Sequence, residues 1–221
     1  MKKIRGMIFD LDGTLIDSMS VWHKVDVEFL RENGITEPPS DISDIVKKMT
    51  IDRSSQYFID RFGLPHTKEY VVKRIEELVR IEYEENITLK PYVRELLDFL
   101  DERGYPYGVA TATYKSLACA VLKRCGIFDR FRFVLTDTEY PNGKRFPDIF
   151  LGGAKLLGTA PDETLVAEDS LHCIETAAGA GFITAGVYDE ASNEDREQIR
   201  AICDFCVDSL RDIPAILTAK D

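Results

Sequence analysis

The chain has no long hydrophobic run and no excess of positive charge. It nowhere contains the roughly 20 apolar residues of a membrane span, and residues 1–5 lead into a run too short for a signal-peptide core. Lys and Arg number 28 against 39 Asp and Glu, which gives a net charge of -11. Nucleic-acid backbones and anionic membrane surfaces require clustered cations. We therefore expect a cytoplasmic protein that binds neither nucleic acid nor membrane.

Cysteine is scarce, and its spacing does not favour a disulfide framework. The five cysteines are an odd number in a chain of 221 residues, so we expect reduced thiols. Cys203 and Cys206 have the spacing of redox and metal sites. However, they lie in an apolar run, residues 202–207, without a second Cys or His pair nearby. We interpret them as structural, because a free Cys is usually a small buried hydrophobic residue.

Alternating apolar runs and helical patterns predict an α/β fold. The composition, with 44% hydrophobic and 30% charged residues, is that of a globular protein. Short apolar runs predict buried strands at residues 7–9, 107–110, 131–135, 164–167 and 183–187. Helical patterns separate the later runs, and one helix, from Asp148 to Leu157, is closed by Gly158. This alternation predicts a doubly wound parallel sheet covered on both faces.

The interval between the first two runs contains helical patterns and no convincing strand. Trp22, Val25 and Phe29 share one helical face, and Thr67 is placed to cap a later helix. Pro91 is expected to restart a helix that belongs to the sheet layer. These patterns indicate an inserted helical unit. The predicted domains are an α/β core of residues 1–15 and 89–221 and a helical domain of residues 16–88.

The most informative motif is Asp-x-Asp-Gly-Thr, residues 10–14, at the end of the first predicted strand. Ligands of open α/β sheets bind at the carboxyl ends of the strands. Asp10 and Asp12, two residues apart on an extended segment, project in the same direction. Asp10 could attack a bound group while Asp12 transfers a proton. The alternative is an acidic turn, because Asp-Gly is common in turns.

This motif resembles the opening motif of phosphatases in the haloacid dehalogenase superfamily, and three later motifs follow in order. Thr111 ends the second strand, Lys144 lies in a Gly-Lys-x-x-Pro-Asp segment, and Glu168 and Asp169 end a later strand. Taken singly, these residues also fit a solvated strand end, a surface lysine and a helix N-cap. Their agreement with the predicted topology favours the resemblance, which implies a Rossmann-like core.

The resemblance implies a covalent mechanism with Mg²⁺ as cofactor. Asp10 is expected to form an aspartyl-phosphate, and Asp12 to protonate the leaving alcohol and then deprotonate the attacking water. Mg²⁺ would be bound by Asp10, the backbone carbonyl of Asp12 and Asp169, and Glu168 would add charge or orient metal-bound water. The second aspartate, Asp12, argues against dehalogenation.

The remaining expected roles concern the phosphate and the substrate. Lys144 would neutralise phosphate oxygens, and Thr111 would donate a hydrogen bond to the transferring group. The predicted catalytic residues are Asp10, Asp12, Thr111 and Lys144, and the predicted substrate-binding residues are Thr111, Ala112, Lys144, Trp22 and His23.

A helical insert after the first motif resembles the cap of the phosphoglycolate phosphatase and β-phosphoglucomutase branch. A separate small helical bundle is the alternative. The mutases have a His twelve positions after the nucleophile, where this chain has Trp22, with His23 one later. They also carry a cap Arg that aligns with Ile51, although Arg53 or two lysines, at 47 and 48, could substitute.

We therefore expect hydrolysis of a small phosphate monoester by a monomer or weak dimer. A sugar phosphate, phosphoglycolate and a nucleotide monophosphate all fit the sequence. The alternatives are a phosphohexomutase and a noncatalytic protein that binds ligands on the same fold. The second alternative gives no physical reason to keep Asp12, whose proton matters only when a bond breaks.

Overall fold

The computed structural model describes residues 3–46, 49, 51–136 and 139–218. Contacts within the chain define two compact units, Met1–Asp17 with Thr88–Asp221, and Ser18–Ile87. We call the first the core unit and the second the helical unit. The boundaries expected from the sequence, 15/16 and 88/89, lie within two residues of these.

The core unit contains a six-stranded parallel sheet in the order β3-β2-β1-β4-β5-β6. The strands are β1 Gly6–Phe9, β2 Tyr107–Ala110, β3 Val134–Leu135, β4 Thr164–Glu168, β5 Ile183–Val187 and β6 Phe205–Val207. Every residue of the first five strands is buried, which explains why they are continuous apolar runs without alternation. The predicted doubly wound α/β fold is confirmed.

Two strands differ from the sequence prediction. β3 has two residues, Val134 and Leu135, which pair with β2, instead of the predicted run 131–135. Phe131 ends a 3₁₀ turn and packs edge-on against Tyr107, with ring centroids 5.4 Å apart. β6 was not predicted. The apolar run that we assigned to packed cysteines instead pairs in parallel with β5 at the edge of the sheet. Cys206 is consequently exposed and Cys203 is half-buried, so the expectation that both are buried is wrong.

The helices of the core unit pack on the sheet. They are α5 Val93–Glu102, α6 Lys115–Arg124, α7 Asp148–Leu157, α8 Leu171–Gly179, α9 Arg196–Ile202 and α10 Ile213–Thr218. Helix α7 ends as predicted, because Gly158 adopts the left-handed conformation, with φ 74°, that glycine tolerates. Helix α5 begins two residues after Pro91, since Tyr92, with φ 67°, interrupts the backbone first.

The helical unit contains the predicted helices and a π-helical turn. Its elements are α1 Met19–Glu32, α2 Ile42–Val46, α3 Ile51–Phe62, α4 Lys68–Ile81 and the π-helix Glu82–Asn86. Thr67 caps α4 as predicted, because its hydroxyl accepts a hydrogen bond from the amide of Tyr70. Phe29 of α1 and Phe58 of α3 pack at 5.8 Å between ring centroids. Trp22, on α1, is 37% exposed.

Two segments of the core unit that flank the helical unit in sequence are hydrogen-bonded to each other. Ile16 and Leu89 form an antiparallel bridge. The amide of Asp17 donates a hydrogen bond to the carbonyl of Thr88 at 2.9 Å. The amide of Lys90 donates one to the carbonyl of Leu15, also at 2.9 Å. In the described part of the chain, every helix is too short or too polar to cross a membrane.

Candidate active site

The predicted site residues of the core unit lie at the carboxyl ends of three adjacent strands. Asp10 follows β1, Thr111 follows β2, and Glu168 and Asp169 end or follow β4. Since β1 lies between β2 and β4, the three strand ends are neighbours in the sheet. The topology therefore brings together residues that are between 57 and 159 positions apart in sequence.

Three buried carboxylates form the centre of the site. One oxygen each from Asp10, Glu168 and Asp169 lies within 4.8 Å of the others. Lys144, in the short 3₁₀ turn Gly143–Arg145 that precedes α7, donates hydrogen bonds to Asp10 and Glu168. All four side chains are buried, so these ion pairs are shielded from water.

The charges at this centre do not balance. Three carboxylates and one ammonium leave two negative charges, and burying charge without compensation is unfavourable. Burial, opposed by Lys144 and reinforced by the neighbouring carboxylates, raises the pKa of Asp10 well above its usual value. Burial and the charge of Glu168 raise the pKa of Asp169 to about 7.

The pKa values of Glu168 and Lys144 are shifted in the direction that favours the charged form of each. Burial disfavours ionisation of Glu168, but the charge and hydrogen bond of Lys144, with the amide of Ser170, hold its pKa below the usual value. Burial likewise opposes the ammonium of Lys144, but Asp10 and Glu168 hold its pKa well above its usual value.

This set of residues fits a divalent cation with oxygen ligands. When all three carboxylates are ionised, as they must be to bind a metal, the two negative charges that Lys144 leaves uncompensated match the charge of Mg²⁺, and carboxylate oxygens are the ligands that Mg²⁺ prefers. Among the described residues, three or more potential metal-ligating side chains converge only at Asp10, Glu168 and Asp169. The cysteine pair is therefore not part of such a cluster.

Asp12 is held by two threonines of the loop after β2. The hydroxyl of Thr113 donates to Asp12 Oδ2 at 2.6 Å, and that of Thr111 donates to the same oxygen at 3.4 Å. The amide of Thr113 in turn donates to the Thr111 hydroxyl at 3.0 Å. Thr113 was not among the predicted residues, although its place two residues after Thr111 in the same loop was a usable signal. Ala112, between them, is exposed.

The other predicted residues belong to the helical unit in sequence. Trp22 and His23 lie on α1 of the helical unit, and their assignment as substrate contacts stays a prediction. Lys47 and Lys48 lie outside the described residues. Ile51 begins α3, but its side chain is likewise not described.

Two of the thiols, those of Cys173 and Cys206, are held in their protonated form. Cys203 Sγ and Cys206 Sγ are 3.0 Å apart, and burial together with Cys203 raises the pKa of Cys206 to about 12. Burial and the charge of Glu168 also raise the pKa of Cys173. Nucleophilic or metal-binding cysteines require the thiolate, so these thiols have little reactivity of that kind.

Comparison with known proteins gives a consistent set of matches. The family model for haloacid dehalogenase-like hydrolases matches residues 4–181. Hexitol phosphatase A of Escherichia coli (strain K12) is 31% identical over 179 residues, which are 81% of this chain and 81% of that protein.

Solved structures share the whole fold. A predicted phosphoglycolate phosphatase from Haemophilus somnus 129pt superposes with a TM-score of 0.82 and 22% identity, covering 98% of this chain and 99% of that one. A β-phosphoglucomutase from Clostridium difficile has a TM-score of 0.70 and 22% identity, covering 95% of this chain and 93% of that one. At these identities the two structures establish the fold alone.

Proposed function

The chain belongs to the haloacid dehalogenase-like hydrolase family, and we propose that it is a Mg²⁺-dependent phosphatase of small phosphorylated metabolites. The observation that carries this proposal is the buried cluster of Asp10, Glu168, Asp169 and Lys144 beside Asp12. Carboxylates repel a phosphate dianion, so a site for phosphate needs positive charge. Lys144 supplies part of that charge, and a bound divalent cation would supply the rest.

In the proposed first step, a carboxylate oxygen of Asp10 attacks the phosphorus. The new bond joins Asp10 to the phosphoryl group, and the bond from phosphorus to the substrate oxygen breaks. Asp12 gives its proton to that leaving oxygen. A bound divalent cation would neutralise negative charge on the phosphate. The ammonium of Lys144, which is hydrogen-bonded to Asp10, would neutralise the phosphate oxygens beside it.

In the second step, Asp12 acts as the base. It takes a proton from water, whose oxygen attacks the phosphorus and releases inorganic phosphate, and Asp10 is restored as a carboxylate. The hydroxyls of Thr111 and Thr113 support this role because they fix the carboxylate of Asp12 at the end of β2, next to the strand that carries Asp10.

We further propose that the substrate is a phosphorylated sugar or sugar alcohol. Hexitol phosphatase A, named for such a substrate, is 31% identical over most of both chains. The helical unit would then act as a cap over the substrate, with Trp22 and His23 as candidate contacts. Closing a site in this way excludes water and adds specificity to chemistry that the core performs.

The experiment is a turnover screen that measures inorganic phosphate release from hexitol phosphates, hexose phosphates, phosphoglycolate and nucleotide monophosphates. We expect Mg²⁺-dependent release, greatest for a phosphorylated sugar or hexitol. The Asp10→Asn variant is the matched control for contaminating phosphatases, because it removes the nucleophile and keeps the size of the side chain. Absence of turnover on every phosphoester by folded protein would contradict the proposal.

A separate assay distinguishes a phosphatase from a mutase. The protein is given β-glucose 1-phosphate with a trace of the 1,6-bisphosphate, and glucose 6-phosphate and inorganic phosphate are followed together. A mutase must protect its aspartyl-phosphate from water until the sugar phosphate has returned to the site in the other orientation. We expect phosphate release without isomerisation, here or on a better substrate. Rapid isomerisation with almost no phosphate release would identify a mutase instead.

A further inference from the structure

The Asp169 carboxylate accepts a hydrogen bond from a group that the proposed reaction does not use, and it lies close to bare glycine backbone. The hydroxyl of Ser192 donates to Asp169 Oδ2 at 2.8 Å. A Cβ atom at Gly13 would lie 2.8 Å from the same oxygen, so the bare backbone of Gly13 allows the close approach. Asp169 is buried, and a buried carboxylate that loses such a hydrogen bond does not regain it fully from water. The hydrogen bond from Ser192 therefore orients Oδ2, in a space that the absence of a side chain at Gly13 leaves open.

The position of Ser192 depends in turn on Asp189. Ser192 lies in a 3₁₀ turn, Glu190–Asp195, that follows β5. Asp189 Oδ1 accepts a hydrogen bond from the amide of Ala191 at 2.9 Å, and its carbonyl accepts one from the amide of Ser192 at 3.2 Å. The carboxylate of Asp189 therefore shapes the turn that presents the Ser192 hydroxyl.

Lys90 joins this turn to the loop that carries the first motif. Its ammonium donates to the carbonyl of Gly13 at 2.6 Å, to Asp189 Oδ2 at 2.8 Å and to the carbonyl of Tyr188 at 3.1 Å. An ammonium has three protons, and all three are engaged. The Lys90 side chain is 17% exposed and that of Asp189 is 9% exposed, so this ion pair is largely shielded from water.

We propose that Ser192 and Lys90 are positioning residues for the divalent cation. Ser192 orients Asp169, and Lys90 holds the turn of Ser192 against the loop of residues 10–14, which contains both Asp10 and the Asp12 carbonyl. This inference rests on the proposed metal-dependent function. Neither residue contacts the reacting phosphate in this assignment. Removing either one loosens the geometry of the ligands and weakens cation binding.

The test measures Mn²⁺ binding directly, by electron paramagnetic resonance of the free ion, without substrate. Groups that orient metal ligands typically contribute about 10- to 100-fold in affinity, and we expect Ser192→Ala to raise the Kd for Mn²⁺ by that factor. Ser192→Thr keeps the hydroxyl and should restore affinity close to that of the unchanged protein. Ser209→Ala is the matched control, because it also removes the hydroxyl of a serine at a short 3₁₀ turn, where that hydroxyl accepts a hydrogen bond from the amide of Arg211, and it should leave the Kd unchanged.

Lys90→Met tests the second half of the network. We expect a raised Kd for Mn²⁺, and the double variant with Ser192→Ala should be weakened by less than the product of the two single effects, since both act through Asp169. At saturating Mg²⁺, the KM of the most active phosphoester in the turnover screen should stay near that of the unchanged protein, while the Mg²⁺ concentration for half-maximal rate rises.

The outcomes separate this inference from the proposed function. If the unchanged protein binds Mn²⁺ and Ser192→Ala binds it equally well, or if Ser209→Ala weakens binding as much, the positioning role is wrong and the phosphatase proposal stands. If Lys90→Met lowers the melting temperature but leaves the Kd unchanged, Lys90 is structural only. If the unchanged protein does not bind Mn²⁺, both the metal assignment and this inference are wrong.

Discussion

Asp26, a buried acid on α1 of the helical unit, should make the stability of that unit depend on pH. It is 6% exposed and lies between the buried residues Val25 and Phe29 in the helix. Burial raises its pKa from 3.8 to about 7. The folded state therefore binds its proton more tightly than the unfolded state does. The stability that this group contributes is complete at low pH and is lost as the pH rises towards and through 7.

The magnitude follows from the size of the pKa shift. Between pH 5 and about 7 the unfolded side chain is ionised while the folded one is still largely protonated. Each pH unit in that window lowers the free energy of unfolding by about 1.4 kcal/mol. Taken from pH 5 to pH 8, the loss due to Asp26 is about 2 to 3 kcal/mol. The Asp26→Asn variant, which cannot ionise, should lack this loss.

The assay is urea denaturation at pH 5 and pH 8, followed by tryptophan fluorescence. Trp22 is the only tryptophan of the chain and lies one turn from Asp26 on α1, so it reports on the helical unit. The quantity to compare is the change in the free energy of unfolding between the two pH values. We expect it to be about 2 to 3 kcal/mol smaller for Asp26→Asn than for the unchanged protein. Glu28→Gln, an exposed acid on the same helix, is the matched control and should behave like the unchanged protein. If Asp26→Asn and the unchanged protein lose the same stability between pH 5 and pH 8, the burial argument is refuted.

Three further predictions concern the chemistry. Phosphate release should stop in excess EDTA and return with Mg²⁺; full activity in the chelator would disprove the metal requirement. Asp10→Asn should fold normally and lose turnover, because an amide is a poor nucleophile, and Asp12→Asn should slow both half-reactions; near-normal kcat in the first variant would exclude the covalent mechanism. Cys203→Ser with Cys206→Ser should keep kcat within a few-fold, and inactivity of the folded variant would show that the thiols matter.

Features set by local pattern were predictable from the sequence. The apolar runs gave the sheet, and the helix Asp148–Leu157 with its closing Gly158 has the predicted bounds. Asp10 was singled out by two aspartates at the end of a predicted strand, and Lys144 by a motif that resembles one of a known phosphatase family. The ion pair between them is a contact that the structure adds.

Features set by contacts between distant segments could not be predicted in this way. Strand β6 has three residues, too few to show a period, and its pairing with β5 is what defines it. Lys90 bonds to a carbonyl 77 residues earlier and to a carboxylate 99 residues later, and Ser192 bonds to an acid 23 residues earlier. Neither contact has a local pattern, because serine and lysine in loops are common for many reasons.

The pairing of Ile16 with Leu89 has a consequence for how such a protein can change over evolutionary time. The chain leaves the core unit after Asp17 and re-enters it at Thr88, and a backbone hydrogen bond of 2.9 Å joins those two residues. A segment whose points of departure and return are neighbours can be lengthened, shortened or exchanged for an unrelated one without moving a strand of the sheet. Insertions are accepted at such places because the flanking backbone keeps its own partners. Residues 18–87 can therefore be replaced or varied while the sheet and the residues at its strand ends are inherited unchanged.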